Sequence, residues 1–120
     1  MPVRSMNSVV LKWPDRETVH AAARQWASQA CRASGEVLRI GYFGSYATGK
    51  WGVGSDLDIL ILVASSDLPF ERRGTRYATP TIPVPCQVLV YTVSEWQRMI
   101  LDGSRFAGIV ESEAVWLYER

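Results

Sequence analysis

The run Leu57-Asp58-Ile59-Leu60-Ile61-Leu62-Val63 constrains this chain more than any other stretch. It has a single polar member, and Ile59, Ile61 and Val63 are β-branched, which suits a strand. Apolar side chains on both alternations imply that both faces are buried, so this strand belongs in the centre of a sheet with other elements packed above and below.

The rest of the pattern supplies those elements. Residues 15 to 33 read as a helix, because Val19, Ala22, Ala23, Trp26, Ala30 and Ala33 recur at three- and four-residue steps. Pro14 with Asp15 suits its start, and Gly35 suits its end. Val37 to Phe43 reads as a strand preceding the central one, and Cys86 to Thr92 as a third strand. Residues 65 to 83 form a polar connection. Ser94 to Leu101 reads as a helix capped by Ser94, residues 104 to 113 as another, and Ala114 to Tyr118 as a closing strand. The predicted class is α/β (α+β): a small mixed sheet flanked by helices, in a single domain over residues 1–120.

Thirteen basic residues stand against twelve acidic ones, a balance that argues against a dedicated duplex-DNA binder. Cys31 and Cys86 form no C-x-x-C pair, so neither structural zinc nor a disulfide framework is expected, and reduced thiols point to a cytoplasmic protein. Met1 to Val10 lacks the apolar run of a signal peptide, and no stretch approaches the ~20 apolar residues of a membrane span. The single histidine, His20, falls off the helix stripe and is expected at the surface.

Chemistry concentrates between Gly41 and Asp58. Five glycines (41, 44, 49, 52 and 54) make the chain turn repeatedly. Asp56 and Asp58, separated by one residue at the mouth of the apolar strand, point to the same side. Two carboxylates so close raise each other's pKa unless a cation sits between them. Magnesium, held by one or two carboxylates together with substrate phosphates, resolves this, and manganese has the same ligand taste. Gly44-Ser45 follows the preceding strand and opens a short helical turn, where backbone N–H groups and the Ser45 hydroxyl can meet a phosphate. Lys50 is a further candidate phosphate contact. The pattern G-x-x-x-x-G-K over Gly44 to Lys50 nearly matches a P-loop. Trp51 stands where Ser or Thr is needed, and Gly52 and Gly54 would break the following helix, which excludes that reading.

The G-S-x(10)-D-x-D arrangement, with Gly-Ser after a strand and an apolar strand after the acids, resembles the minimal nucleotidyltransferases of the DNA polymerase β-like superfamily. The likeness runs from about Val37 to Thr92, and more loosely through the Glu95-Trp96 helix and the Val115-Trp116-Leu117-Tyr118 end. It implies the nucleotidyltransferase fold, dependence on Mg²⁺ (or Mn²⁺), and transfer of a nucleoside monophosphate from a nucleoside triphosphate such as ATP. Asp56 and Asp58 would be the catalytic metal ligands, and Gly44, Ser45 and Lys50 the nucleotide contacts. Many such domains resemble antitoxins that pair with a helical HEPN-type toxin. One departure stands out. The family carries a third carboxylate on a later strand, and the matching run Cys86-Gln87-Val88-Leu89-Val90-Tyr91-Thr92 has Gln87 in its place. Glutamine cannot carry charge or accept a proton as a general base. Glu71, Glu95 or Glu111 would have to substitute, or the chain is a degenerate module that binds nucleotide or partner without turnover.

Outside that stretch, Arg72, Arg73 and Arg76 crowd the connection and read mainly as solvated charges. Of the five tryptophans, Trp26 fits the helix core, whereas Trp51 lies in the glycine loop within reach of a nucleotide base.

Overall fold

The computed structural model describes residues 13–120, so Met1 to Val10, expected to hold no leader, lies outside the described residues. Helix α1 (Arg16–Ala33) leads into strand β1 (Val37–Phe43), and the one-turn helix α2 (Ser45–Thr48) follows at once. Next come β2 (Leu57–Val63), the short helix α3 (Phe70–Arg73) with a 3₁₀ turn at Gly74–Arg76, and β3 (Cys86–Thr92). Helices α4 (Val93–Leu101) and α5 (Arg105–Glu113) then lead to β4 (Val115–Glu119). The four strands form one mixed sheet in the order β3-β2-β1-β4. β1 runs antiparallel to β2 and β4, and β2 runs parallel to β3.

β2 is interior, as its composition demanded, and its two faces feed two cores. Leu57, Ile59, Ile61 and Val63 pack with Val19, Ala23, Trp26 and Ala27 of α1. Leu60 and Leu62 pack on the other side with Trp96 of α4 and with Ala107 and Val110 of α5. Leu57, Ile59, Leu60 and Ile61 are wholly buried. Each contributes roughly 1.5–3 kcal/mol of hydrophobic stabilisation, so the strand that begins at the acidic pair is held firmly between two packed layers.

The helix ends differ from the sequence-based expectation. α1 starts as expected, with the Asp15 carboxylate accepting from Thr18 N–H at 2.9 Å. Its last cap is Ser34 in extended conformation, and Gly35 does not adopt the left-handed conformation that would have closed the helix. α4 is capped by Thr92, not Ser94. The Thr92 hydroxyl accepts from Glu95 N–H at 3.1 Å, and the Glu95 carboxylate accepts from Thr92 N–H at 2.8 Å. Ser94 cannot compete, because a reciprocal capping box satisfies two orphan donors at once.

The same carboxylate corrects the reading of Arg73 as solvated. Arg73 is buried; it donates to both Glu95 oxygens, at 2.6 and 3.1 Å, and to the carbonyls of Leu68 and Val90. One arginine therefore ties the connection to β3 and to the start of α4. Arg72 and Arg76 remain exposed. Glu95→Ala removes both the cap and the partner of a buried guanidinium. We expect it to cost about 2–3 kcal/mol in urea unfolding, less than for a wholly buried pair because the Glu95 side chain is 43% exposed. A loss under about 0.5 kcal/mol, typical of surface substitutions, would show the pair to be ornamental.

Candidate active site

Asp58 is the second residue of β2 and sits in the ladder opposite Phe43 of β1 and Gln87 of β3. Because β2 and β3 are parallel and in register, Gln87 stands beside Asp58 on the same face of the sheet. The position read as the departure from the family pattern is thus adjacent to the acidic pair. Gln87 is exposed, as is Asp56, and Asp58 is half-buried.

Gly44 joins the second half of the constellation to the first. Its φ of 80° and ψ of −151° lie where only glycine is at ease. A Cβ there would fall 3.4 Å from Asp58 Cγ and closer still to Oδ2. The turn therefore approaches the carboxylate with backbone alone, which sequence spacing could not reveal. Gly44→Ala is expected to cost roughly 1–3 kcal/mol through the backbone and to displace Asp58 as well. Thermal unfolding reads the first effect. An unshifted melting temperature would mean that the turn relaxes freely.

After Gly44, the Ala47 and Thr48 N–H groups return to the Gly44 carbonyl at 3.0 and 3.1 Å, closing α2. The first N–H groups of the turn have no acceptor within it, so they remain available beside Ser45. α2 stops at Gly49, left-handed at φ 84°, which confirms that no P-loop helix continues here. Lys50 lies just past that stop and is exposed.

The loop from Trp51 to Asp56 is ordered by two devices. The Trp51 ring stacks on Tyr46 with centroids 5.5 Å apart and planes 4° from parallel. Tyr46 is wholly buried; its hydroxyl accepts from Trp13 Nε1 at 2.9 Å and donates to the Pro14 carbonyl at 3.2 Å. One face of Trp51 is thereby committed to the protein, so the ring is a loop anchor rather than a free platform for a base. Gly52 N–H then donates to Ser55 Oγ at 2.8 Å, and Ser55 N–H to the Gly52 carbonyl at 3.0 Å. This tight turn delivers Asp56 to the mouth of β2.

Burial raises the Asp58 pKa above the ordinary carboxylate range, and the charge of Asp56 adds to the shift. The Cys86 thiol is raised as well, chiefly by burial, with the same two charges contributing, so it stays protonated next to the pair. Among the described residues, neither aspartate has an ion-pair partner; the paired cations are Arg39, Arg73 and Arg98. No third His, Cys, Asp or Glu completes a metal-binding group there either. Glu95 is spent on Arg73, and Glu111 on Arg39 at 2.9 Å and Trp96 Nε1 at 2.6 Å, while Glu71 is exposed on α3. None of the three supplies the missing carboxylate.

His20 is not simply solvated. It is half-buried, with Nδ1 2.9 Å from the Tyr42 hydroxyl.

The family model described as "Nucleotidyltransferase domain" matches residues 24–102. No curated protein matches the chain in sequence. Among solved structures, the fold is similar to that of a candidate nucleotidyltransferase from Sulfolobus solfataricus. The TM-score is 0.63 at 17% identity, covering 88% of this chain and 84% of that one. It is also similar to a toxin–antitoxin structure with AMP-PNP. Here the TM-score is 0.53 at 17% identity, covering 81% of this chain and 73% of that one. At that identity the two likenesses concern the fold. The matched stretch, which covers well over half of the chain and contains Gly44, Ser45, Asp56, Asp58 and Gln87, shows that this protein belongs to the nucleotidyltransferase domain family.

Proposed function

We propose that this domain binds a magnesium–nucleoside triphosphate complex, ATP foremost, and transfers its nucleoside monophosphate to an acceptor on a partner protein. The observation that carries the reading is the approach of Gly44 to Asp58, which makes the phosphate-facing turn and the carboxylate pair one site. Asp56 and Asp58 suit a hard cation: both are oxygen donors, they repel each other, and no described cation neutralises them. Two carboxylates are too few for a resident ion, but they match magnesium, which keeps waters and takes its other ligands from phosphates. When bound, the ion would polarise the phosphate oxygens and neutralise charge building on the leaving group.

The chain's own part is positional. The Gly44-Ser45 turn holds the phosphates, with exposed Lys50 beside it. The rigid start of β2 holds Asp58, and the stacked loop holds Asp56. An acceptor oxygen attacks the α-phosphorus, the bond to the bridging oxygen breaks, and pyrophosphate leaves. The acceptor's proton must then reach solvent, because Gln87 cannot receive it.

The partner would be helical and toxin-like, of the HEPN type. The toxin–antitoxin neighbour with AMP-PNP supports a toxin partner and a nucleotide ligand. A second reading is favoured by Gln87 itself: a module that holds nucleotide or partner without turnover.

Calorimetric titration of ATP with Mg²⁺ tests the site. Saturable binding is expected for the natural protein and should vanish in Asp56→Asn/Asp58→Asn. Binding that survives in the double variant would remove the carboxylates from the site. Labelled ATP incubated with Mg²⁺ and candidate partners then separates transfer from binding alone.

A further inference from the structure

We infer that the groove between α1 and the edge strand β4 binds the phosphodiester backbone of a single-stranded nucleic acid. The groove has a volume of about 470 Å³ and is lined by Arg24, Ser28 and Arg32 of α1 and by Leu117, Tyr118 and Arg120 at the end of the sheet. The three arginines are its charged side chains. None of them is among the described ion pairs, and residues 1–12 contain no acid that could pair with them. In a chain with nearly equal numbers of acids and bases, three uncompensated arginines in one groove are a local concentration that net charge conceals.

Spacing makes the feature a track. Arg24, Ser28 and Arg32 follow at four-residue steps on one face of α1, so the Cα atoms of the two arginines lie about 12 Å apart along the helix at 1.5 Å per residue. Phosphates repeat every ~3.4 Å along a stacked strand, so phosphates three to four nucleotides apart span that distance. Arg120 is held in place: it donates to the Gly35 carbonyl and, at 2.9 Å, to the Tyr118 hydroxyl. Tyr118 is half-buried in the wall with the Arg120 guanidinium over its ring, 5.8 Å from the centroid, a pairing of charge and aromatic surface that single strands use. Toward the nucleotide turn the same seam continues through Arg16 and His20, where Glu17 is the sole acid, and Arg16 donates to the Ala47 carbonyl of α2 at 3.4 Å.

An acidic protein surface is the competing occupant. Protein interfaces are organised around an apolar core. Among the described residues, the exposed large apolar side chains are Val53, Phe70, Ile100, Leu101 and Ile109, and none of them lines this groove. Forked guanidiniums favour phosphate.

The test is fluorescence anisotropy with labelled oligouridylate and oligothymidylate of about 12 nucleotides, between about 50 and 200 mM salt. The natural protein should bind saturably, and the tighter arm identifies RNA or DNA as the source. Arg24→Glu/Arg32→Glu should weaken binding at least tenfold and flatten the salt slope by about 1.4, at roughly 0.7 per lost contact. Both residues are exposed, so the variant should melt like the natural protein and keep its ATP–Mg²⁺ titration. That titration separates this surface from the nucleotide site, whose reading stands or falls independently. Absence of saturable binding in both arms, or binding indifferent to the double charge reversal, overturns the inference. Competition by polyglutamate as strong as by oligonucleotide overturns it in favour of an acidic protein partner.

Discussion

Gln87→Asp is expected to raise nucleotidyl transfer by about 10²–10⁴-fold over the natural protein, the range that a positioned general base commands. The expectation rests on register. Gln87 and Asp58 are direct ladder partners on parallel strands, so an aspartate at 87 would project beside Asp58 without any movement of the backbone. Gln87 is exposed on the edge strand, and the shorter aspartate meets no packing obstacle there. A third carboxylate also adds repulsion to a pair already short of positive charge. The variant should therefore melt lower than the natural protein without divalent ions and recover most of the difference with Mg²⁺. Single-turnover transfer of labelled ATP to a supplied partner reads the first effect, and thermal unfolding with and without Mg²⁺ reads the second. Equal transfer by both proteins would mean that Gln87 limits nothing, and the non-transferring reading would be wrong.

Asp58→Asn is expected to work in opposite directions on function and stability. In the proposed role of direct ligand, its loss should cost Mg²⁺–ATP affinity more than the 10–100-fold typical of residues that merely support a ligand. Yet the folded protein should gain. The Asp58 pKa is raised on folding, first by burial and then by Asp56, so the native state binds its proton more tightly than the unfolded chain does. Stability then falls as pH rises from the ordinary carboxylate value of 3.8 through the raised one, and stays lower above it. Below 3.8 both states are protonated and the cost disappears. Asparagine carries no charge at any of these values. Melting temperatures measured from acid to neutral pH should diverge as pH rises, with the variant the more stable, and converge again in acid. Mg²⁺–ATP should raise the melting temperature of the natural protein and leave the variant unmoved. A variant less stable than the natural protein at neutral pH would show that Asp58 is structurally satisfied and not held against its preference.

Functional sites are where local rules are broken at a cost to stability. Here the cost is visible in two places: Asp58 half-buried without a cation, and Gly44 in a conformation closed to other residues. Both sit at the same contact.

The elements legible in the sequence were those whose signal is local. β1, β2 and β3 run between the residues that strand-forming composition and the continuous apolar run had marked, because strand propensity and burial act on neighbours a few positions apart. The same holds for the body of α1 and for the turn at Gly44-Ser45, which the structure brings against Asp58. What tertiary structure decided involves partners distant in sequence. Arg73 is buried because Glu95 lies 22 residues on and is already a capping residue. Trp51 is an anchor because Tyr46 is held in place by Trp13 and Pro14. The basic groove exists because β4 closes the sheet beside α1, bringing Arg120 to Arg24 and Arg32. The place of the absent third acid was likewise decided in space: the parallel pairing of β2 with β3 sets Gln87 next to Asp58, and among the described residues no other acid completes the group. Local pattern writes which residues can do chemistry, and strand register and packing, which depend on the whole chain at once, choose their neighbours.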